Sequence, residues 1–300
     1  MTRPLVVIQR NPKSGSGHGR TEILQLWKEL RNHGFRVRMF ARRSQLDAWL
    51  QTLPENNRLR CIVAAGGDGT AADVINRHPQ IPVVVLPLGT ENLLARYCGL
   101  TRSGRQLARV ILQNHVVVLD SACVGSRRFL LMASAGPDAA VVQTLHRNRS
   151  GTITHARYVL PTLHALFLRP LRLYRVTTDT QPNPCTGTHV LVTNIPRYGL
   201  GLAFSPEAQP DDGKLDVRIY QGQSHLQMLL HVLCLKLGWR VQENLVMRFR
   251  AGEVRIELAP GENSPAATQE ICQCDGDPGP PLPVTIRVQP ASIQLLVPSS

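Results

Sequence analysis

The sequence predicts two domains: an N-terminal α/β domain built on a parallel sheet, and a C-terminal β-sandwich. The chain has 300 residues, which suits two domains of roughly 100–150 residues each better than one core. Strand-like and helix-like segments alternate through about the first 120 residues, whereas short strands with glycine- and proline-rich turns follow from about residue 125. We therefore expect one domain at residues 1–124 and a second at residues 125–289.

The N-terminal domain is read from its apolar runs. Short continuous runs lie at residues 4–9, 61–65 and 82–86. Such runs are typical of parallel strands that are buried on both faces. Helical or alternating patterns separate them, at residues 19–32, 35–40 and 43–53. Ligands of such sheets bind outside the carboxyl ends of the strands, so we expect a site in the loops after Gln9, Ala65 and Leu86.

The C-terminal domain is read from repeated strand-like runs. They lie at residues 129–133, 171–178, 189–194, 215–220, 254–258, 284–288 and 293–297. Turn residues separate these runs, which is the pattern of a sandwich. Helices are predicted at residues 138–146 and 154–168, an amphipathic helix at residues 226–239, and a loop at the proline-rich residues 276–283.

The composition restricts the kinds of molecule that the protein is expected to bind and the compartment in which it is expected to lie. The formal net charge is +13, and most of the cations are arginine, which suits nucleic acid, anionic membranes or phosphorylated small molecules. The basic residues form no run and no nucleic-acid-binding motif is present, so we expect no nucleic acid partner. The seven cysteines show no paired spacing, and no apolar stretch reaches the ~20 residues of a membrane span. Without a signal-peptide pattern at the N-terminus, we expect a cytoplasmic protein with reduced thiols.

The strongest chemical signal is the segment Gly66–Thr70, which reads Gly-Gly-Asp-Gly-Thr and follows a predicted buried strand. Its glycines permit backbone conformations that are closed to other residues, and they let phosphates approach the main chain. Asp68 can meet a polyphosphate through Mg²⁺, and the next helix directs its positive N-terminus at the loop. A tight turn alone would need fewer glycines and no aspartate.

Two other loops follow predicted strands of the same sheet. Residues 11–17 (Asn-Pro-Lys-Ser-Gly-Ser-Gly) precede a helix and could cradle an anion. They match neither a Walker A loop nor a dinucleotide fingerprint, and a plain strand-to-helix turn explains them about as well. In residues 87–92, Thr90 and Asn92 can bond a nucleotide or cap the following helix.

With three later segments, these loops resemble the catalytic domain family of the diacylglycerol kinases, which includes sphingosine kinases and bacterial lipid kinases. Residues 133–139 (Ala-Ser-Ala-Gly-Pro-Asp-Ala) resemble the family's Gly-Phe-Asp-Ala segment. Residues 211–217 (Asp-Asp-Gly-Lys-Leu-Asp-Val) match its Asp-Asp-Gly-x-Leu-Asp-Val segment, and residues 275–277 (Asp-Gly-Asp) resemble its late Asp-Gly-Glu. The resemblance extends over essentially the whole chain.

The resemblance implies an ATP-binding α/β domain like that of NAD kinases and phosphofructokinases, a β-sandwich domain, and an active site in the cleft between them. It also implies that the last strand, about residues 290–298, returns to the first domain. The nucleotide-binding positions that it implies are Asn11, Ser14, Gly15, Gly66, Gly67, Asp68, Gly69, Thr70, Ala71, Ala72, Thr90 and Asn92.

The resemblance also implies metal and catalytic positions. A structural Mg²⁺ would be held by the Asp212 side chain and by the carbonyls of Gln209 and Lys214. Asp68 would help to hold a catalytic Mg²⁺, and the catalytic base would fall on Asp277. Because the family usually has glutamate at that position, Asp275 is the alternative base.

We therefore expect an ATP- and Mg²⁺-dependent lipid kinase that transfers the γ-phosphoryl group to a lipid hydroxyl. A lipid substrate requires peripheral membrane contact, for which residues 158–173 and 226–239 are candidates, with ordinary core helices as the alternative. Two other functions stay open: a small-molecule kinase similar to NAD kinase, and a catalytically inactive nucleotide-binding regulator. A cytoplasmic location, including the inner face of the membrane, and a homodimer are both compatible with the sequence.

Overall fold

The computed structural model describes residues 3–12, 19–54, 58–147, 170–199, 201–239, 243–262 and 269–299. The chain forms two compact units: Met1–Leu119 with Ala291–Ser300, and Asp120–Pro290. The predicted helix at residues 154–168 lies outside the described residues. In the part of the chain that is described, no helix is both long and apolar enough to cross a membrane.

The first unit is an α/β layer structure. Its strands and helices are β1 (Leu5–Arg10), α1 (Gly19–Asn32), β2 (Arg36–Phe40), α2 (Arg43–Gln51), β3 (Leu59–Gly66), α3 (Asp68–Arg77), β4 (Val83–Pro87), α4 (Leu93–Tyr97) and α5 (Gly104–Gln113). The strands pair in the order β2-β1-β3-β4, all parallel. Their apolar runs are buried, as in Val6, Val7 and Ile8 at the centre of the sheet. The carboxyl ends of β1, β3 and β4 therefore lie along one edge.

Two long strands have residues in both units: β5 (Val116–Val124) and β16 (Val284–Leu296). Near its end β16 pairs with β4 in parallel, with Leu295 opposite Val83. The chain thus returns to the first sheet in its last residues. Earlier in β16, the segment around Ile286 pairs with the second unit.

The second unit is a sandwich of antiparallel strands. Its elements are β6 (Arg127–Phe129), β7 (Met132–Ala135), α6 (Pro137–Arg147), β8 (Tyr174–Thr178), β9 (Cys185–Gly187), β10 (His189–Thr193), β11 (Leu215–Tyr220), α7 (His225–Leu237), β12 (Val246–Ala251), β13 (Glu253–Leu258), β14 (Ile271–Cys274) and β15 (Asp277–Pro281). One sheet has the order β12-β11-β10-β7-β14-β15, and in the other β13 lies between β8 and β16.

The two sheets of the second unit share one core. Val192 and Val217 from the first sheet and Val254 and Ile286 from the second belong to the same buried cluster. Each strand contributes alternate residues to it, which is the packing of a β-sandwich. The predicted fold class, an α/β domain followed by a β-sandwich, is confirmed.

The structure corrects several predicted elements. Residues 276–283, predicted as a loop, contain the strand β15. It is the edge strand of its sheet, where a missing N–H is tolerated, and its prolines therefore do not prevent pairing with β14. The predicted strand at residues 129–133 is divided between β6 and β7, and the two predicted strands after residue 284 are one strand, β16.

Candidate active site

Three loops meet at the carboxyl edge of the parallel sheet. The amide of Asn11, after β1, donates to the carbonyl of Ala65 at 3.1 Å, and the amide of Leu88, after β4, donates to the carbonyl of Gly66 at 2.9 Å. These bonds fix the three loops to β3 because parallel neighbours end side by side. Residues 13–18, which include the predicted Ser14 and Gly15, lie outside the described residues.

The loops after β3 and β4 touch backbone to backbone. A Cβ atom added at Gly89 would lie 2.6 Å from the Cα atom of Gly67 and 2.9 Å from the Asn92 Oδ1 atom. Asn92 closes this contact, because its side chain accepts from the Gly89 amide at 2.9 Å and donates to the Gly89 carbonyl at 2.8 Å. Both hydrogen-bonding ends of the Asn92 amide therefore serve the protein. The left-handed conformation of Asn92, with φ of 51°, suits asparagine.

Thr70 closes the loop from the other side. It is buried, and its hydroxyl accepts from the Asn11 side chain at 3.1 Å. A Cβ atom at Gly66 would collide with the Thr70 side chain. Gly66, Thr70 and Asn11 are therefore packed together, and Ala71 beside them is fully buried.

The reason for the glycines differs from the prediction. None of Gly66, Gly67, Gly69 and Gly89 has a positive φ, so the expectation of backbone conformations closed to other residues was wrong. Close packing explains Gly66, Gly67 and Gly89. Gly69 is different, because it is exposed and a Cβ atom there would meet nothing within 4 Å. The described residues give no steric reason for glycine at position 69.

Asp68 has an internal partner. Its Oδ1 atom accepts from the amide of Leu94 at 3.0 Å, in the first turn of α4. Burial raises the pKa of Asp68 above its ordinary value, while the amides of Leu93 and Leu94 act in the opposite direction. The carboxylate thus ties α3 to the N-terminus of α4. This positioning contact was not anticipated from the sequence.

The remaining predicted positions of these loops, Ala72 and Thr90, make fewer contacts within the protein. Ala72 is half-buried on α3, and Thr90 is exposed. Asn92, rather than Thr90, is the residue that precedes the first turn of α4. Among the described residues, the Thr90 hydroxyl makes no hydrogen bond, so Thr90 is accessible to a ligand.

The sequence interpretation missed Arg10. It is the last residue of β1 and lines a pocket with Asn11 and Thr70. In the part of the chain that is described, its guanidinium has no ion pair, whereas Arg43 in the same pocket pairs with Asp73 at 3.1 Å. A cation next to a glycine loop at a strand end is the arrangement that anions favour.

In the second unit, Asp275 and Asp277 have different environments. Asp275 is in a left-handed conformation with φ of 51°. Its carboxylate accepts three amide hydrogen bonds, from Leu130 at 2.8 Å, Leu131 at 2.9 Å and Met132 at 3.1 Å. Both oxygens of Asp275 therefore hold the connection between β6 and β7.

Asp277 begins β15, and about half of its side chain is exposed. Its Oδ2 atom lies 3.5 Å from the Arg127 guanidinium, which also donates to the Pro278 carbonyl. Both residues are half-buried, but the oxygens of Asp275 are engaged by amides, so Asp277 is the more available of the two carboxylates to a substrate. Arg127, which the sequence did not single out, orients it.

A buried polar network lies behind this turn. The Gln273 side chain donates to the Ser134 hydroxyl at 2.8 Å and accepts from the Gly276 amide at 2.9 Å. Ser134 and His189 both bind the Asp138 carboxylate. Burial opposes ionisation of Asp138, but the charge and hydrogen bond of His189 hold its pKa below the ordinary value. The network couples α6 to the Asp275–Asp277 turn.

The predicted structural-metal segment forms a tight turn before β11. The buried Asp120 accepts from the Gly213 amide at 2.7 Å, and Asp212 Oδ1 accepts from the Lys214 amide at 2.9 Å. The other oxygen of Asp212 pairs with Arg250. Gln209 and Lys214 are exposed. Among the described residues, no group of three or more His, Cys, Asp or Glu side chains is arranged to hold a metal ion.

Comparisons with known proteins agree with this architecture. The family model "Diacylglycerol kinase catalytic domain" matches residues 4–124, and "YegS C-terminal NAD kinase beta sandwich-like domain" matches residues 132–297. A protein of Mycobacterium tuberculosis named diacylglycerol kinase is 28% identical over 245 residues, which cover 79% of this chain and 76% of that protein. A Pseudomonas fluorescens protein named probable lipid kinase YegS-like is 29% identical over 210 residues, 67% of each chain.

Solved structures show the same fold. A structure from Bacillus anthracis, described as a putative diacylglycerol kinase, superposes with a TM-score of 0.75 at 19% identity. The superposition covers 99% of this chain and 97% of that one. Residues 4–124 thus match the diacylglycerol kinase catalytic domain, and the chain belongs to the family of the YegS C-terminal NAD kinase beta sandwich-like domain, whose model matches more than half of it. Its enzyme class is accordingly that of the lipid kinases, which are phosphotransferases.

Proposed function

We propose that the protein transfers the γ-phosphoryl group of ATP to a hydroxyl group of a lipid, in a reaction that requires Mg²⁺. The observation that carries this proposal is the contact between Gly67 and Gly89, beside an exposed Gly69 for which the packing of the described residues does not require glycine. Where glycines leave the main chain without side chains, phosphate oxygens can come close enough to hydrogen-bond the backbone N–H groups. The family membership supports the choice of a lipid as the acceptor.

On the nucleotide side, the first unit would supply donors and charge. In the first turn of α3, the amides of Thr70 and Ala71 donate to the Gly67 carbonyl, so the Gly69 amide and the positive end of the helix dipole would act on phosphate oxygens. Arg10 would add a full positive charge at the end of β1, and the exposed Thr90 hydroxyl would add a donor. Stabilisation of phosphate charge accounts for most of the catalysis in phosphoryl transfer.

Magnesium fits the first unit better than the second. In the first unit, the Oδ1 atom of Asp68 accepts from the Leu94 amide, and the amides of Leu93 and Asn92 also act on this carboxylate. Its Oδ2 atom would hold Mg²⁺, and the metal would neutralise phosphate charge. In the second unit, Asp212 already pairs with Arg250 and with the Lys214 amide. The predicted structural Mg²⁺ would have to displace a guanidinium, so we derive no step from it.

The acid–base side would be supplied by Asp277. Its accessible carboxylate would accept the proton of the lipid hydroxyl while the lipid oxygen bonds to the γ-phosphorus. The bond from that phosphorus to the bridging oxygen breaks, and ADP leaves. The three hydrogen bonds that Asp275 accepts from backbone amides favour a structural role for that residue. Aspartate is sufficient as a base because the proton moves late in a loose transition state.

The acceptor would be a diacylglycerol-like lipid presented at a membrane surface. The names of the relatives from Mycobacterium tuberculosis and Staphylococcus carnosus, both diacylglycerol kinase, support this class. The net charge of +13 supports association with anionic membranes rather than with zwitterionic ones. We propose a cytoplasmic protein that associates peripherally with the inner face of the membrane.

The test is incubation of the purified chain with γ-labelled ATP, with or without Mg²⁺, and separate acceptors. The acceptors are diacylglycerol, a sphingoid base and phosphatidylglycerol in detergent micelles, with NAD as a soluble comparison. A labelled lipid that appears only with Mg²⁺ supports the proposal. Labelled NADP, or no labelled product with any lipid, contradicts it.

A further inference from the structure

The helix α7 presents a row of leucines to solvent. Five leucines recur with the period of the helix and share one face, and each is at least 38% exposed: Leu226, Leu229, Leu230, Leu233 and Leu237. Trp239, just beyond the helix end, is 64% exposed. We call these six residues the α7 face. An exposed apolar row of this kind marks an interaction surface.

The α7 helix is held in place by its opposite side and its ends. Met228 is buried, and the His231 ring lies 4.8 Å from the Tyr220 ring of β11. The Ser224 hydroxyl accepts from the Gln227 amide at 3.2 Å at the start, and Gly238 ends the helix with φ of 69°. The helix is therefore fixed to the sandwich with its leucines outward, rather than being an ordinary core helix.

The α7 face alone is smaller than a protein interface of standard size. It consists of six residues on and beside one helix of 13 residues, whereas each partner of a standard protein interface contributes about 20–30 residues. A second copy of the chain would therefore have to bury much more surface than the α7 face.

The chemistry of the α7 face matches a lipid surface. The helix sequence, HLQMLLHVLCLKL, contains no carboxylate and has Lys236 in its last turn. Leucines on one side, a tryptophan at the end and a cation nearby are the composition of helices that lie in the interfacial layer of a bilayer. The charge of the whole chain, +13, would attract the same anionic surface.

We propose that the α7 face docks the protein on an anionic membrane, with the leucines and Trp239 in contact with the acyl layer. The inference rests on the proposed function in one respect, since a lipid acceptor makes a bilayer the relevant partner. It goes further by naming the surface that binds. The other stretch considered from the sequence, residues 158–173, lies mostly outside the described residues.

Vesicle binding without nucleotide tests the α7 face separately from catalysis. The full chain is mixed with 100-nm vesicles of phosphatidylcholine, with or without phosphatidylglycerol, and bound protein is measured by flotation. The variant carries Leu230→Glu and Leu233→Glu. The matched control is Leu24→Glu, because Leu24 is 56% exposed on α1. We expect the double variant to lose at least about tenfold in partitioning to anionic vesicles, and the control to bind as the unchanged chain does.

Two further measurements keep the test decisive. A second pair, Leu226→Ser with Trp239→Ser, replaces the double glutamate variant if thermal unfolding shows that the latter is misfolded. Equal vesicle binding by the unchanged chain and both variants overturns the proposal. A dimer in analytical ultracentrifugation that either variant dissociates also overturns it, in favour of a second copy.

The α7 proposal and the proposed function can fail independently. If the chain binds vesicles through α7 but phosphorylates no lipid, the kinase proposal falls and the docking surface stands. If it phosphorylates a detergent-dispersed lipid but binds vesicles no better than the variants, the docking surface falls and the kinase proposal stands.

Discussion

Replacement of Gly69 by alanine tests whether this glycine serves a ligand rather than the fold. The added Cβ atom would meet nothing within 4 Å, and φ at this position is not positive. Gly69 is the second residue of α3, and alanine is favoured over glycine in a helix interior by about 0.5–1 kcal/mol, which is an upper bound at this end. We therefore expect the free energy of unfolding to stay the same or to rise by up to about 1 kcal/mol.

The same methyl group should impair nucleotide binding. If phosphate oxygens approach the main chain at Gly69, the methyl would occupy their position and displace them. We expect the KM for ATP to rise at least about tenfold, which corresponds to about 1.4 kcal/mol of lost binding. The assay measures initial rates of lipid phosphorylation against ATP concentration, together with the melting temperature with and without ATP.

Gly89→Ala is the matched comparison. Its Cβ atom would lie 2.6 Å from the Gly67 Cα atom, so the two loops would have to separate by about 0.8 Å to reach the 3.4 Å of ordinary contact. Overpacking of this kind costs about 1–3 kcal/mol, and the melting temperature should fall. If Gly69→Ala destabilises the chain as strongly as Gly89→Ala, or leaves the KM for ATP unchanged, the reasoning is refuted.

Three other variants address the second unit. Asp277→Asn should lower kcat about 10²- to 10⁴-fold with an unchanged melting temperature, because it removes only a half-exposed base; kinetics in the same assay check this, and near-normal activity would exclude Asp277 as the base. Asp275→Ala should instead lower stability by about 2–4 kcal/mol in urea unfolding, because three buried amides lose their acceptor; a variant as stable as the unchanged chain would contradict the structural role. Burial, with His189 and Arg248 nearby, lowers the pKa of His231 from 6.5 to about 4. The unfolded chain therefore binds more protons between these values, and stability should fall as the pH drops through that window. The loss is at most about 3.4 kcal/mol, or about 1–2 kcal/mol after allowance for partial exposure. Unfolding at pH 4.5 and 7 measures it, and His231→Leu should reduce the loss by about that amount; an unchanged loss would exclude His231 as its source.

The sheet of the first unit could be predicted because its strands are continuous apolar runs. Strands that are buried on both faces have no polar face. The continuous apolar runs at residues 61–65 and 82–86 therefore predict strands in a core, where the structure places them. The strand β15 could not be predicted in this way. Its prolines are unfavourable in a strand, and only the position at the edge of a sheet makes them tolerable.

The site shows the same division. The loop Gly66–Thr70 was identified from its residue types, since clustered glycines beside an aspartate are characteristic of phosphate loops. The reason for each glycine could not be predicted. Gly89 is twenty-two residues away from Gly67 in the chain, and the two come into contact only because the sheet brings their loops together. The sequence also could not separate Asp275 from Asp277, which are two residues apart, because their difference lies in their partners: backbone amides for Asp275 and the Arg127 guanidinium for Asp277.

The sequence by itself determined the fold class, the family and the segments in which the chemistry would lie, because apolar periodicity and motif order are local properties of the chain. Only the tertiary structure decided which side chains are engaged and which are accessible. Asp275 is held by amides at the connection between β6 and β7, and Asp68 by an amide of α4. Arg10 pairs with no carboxylate in the described residues, and the α7 leucines face solvent. These differences depend on contacts between residues far apart in sequence, and such contacts exist only once the chain has folded.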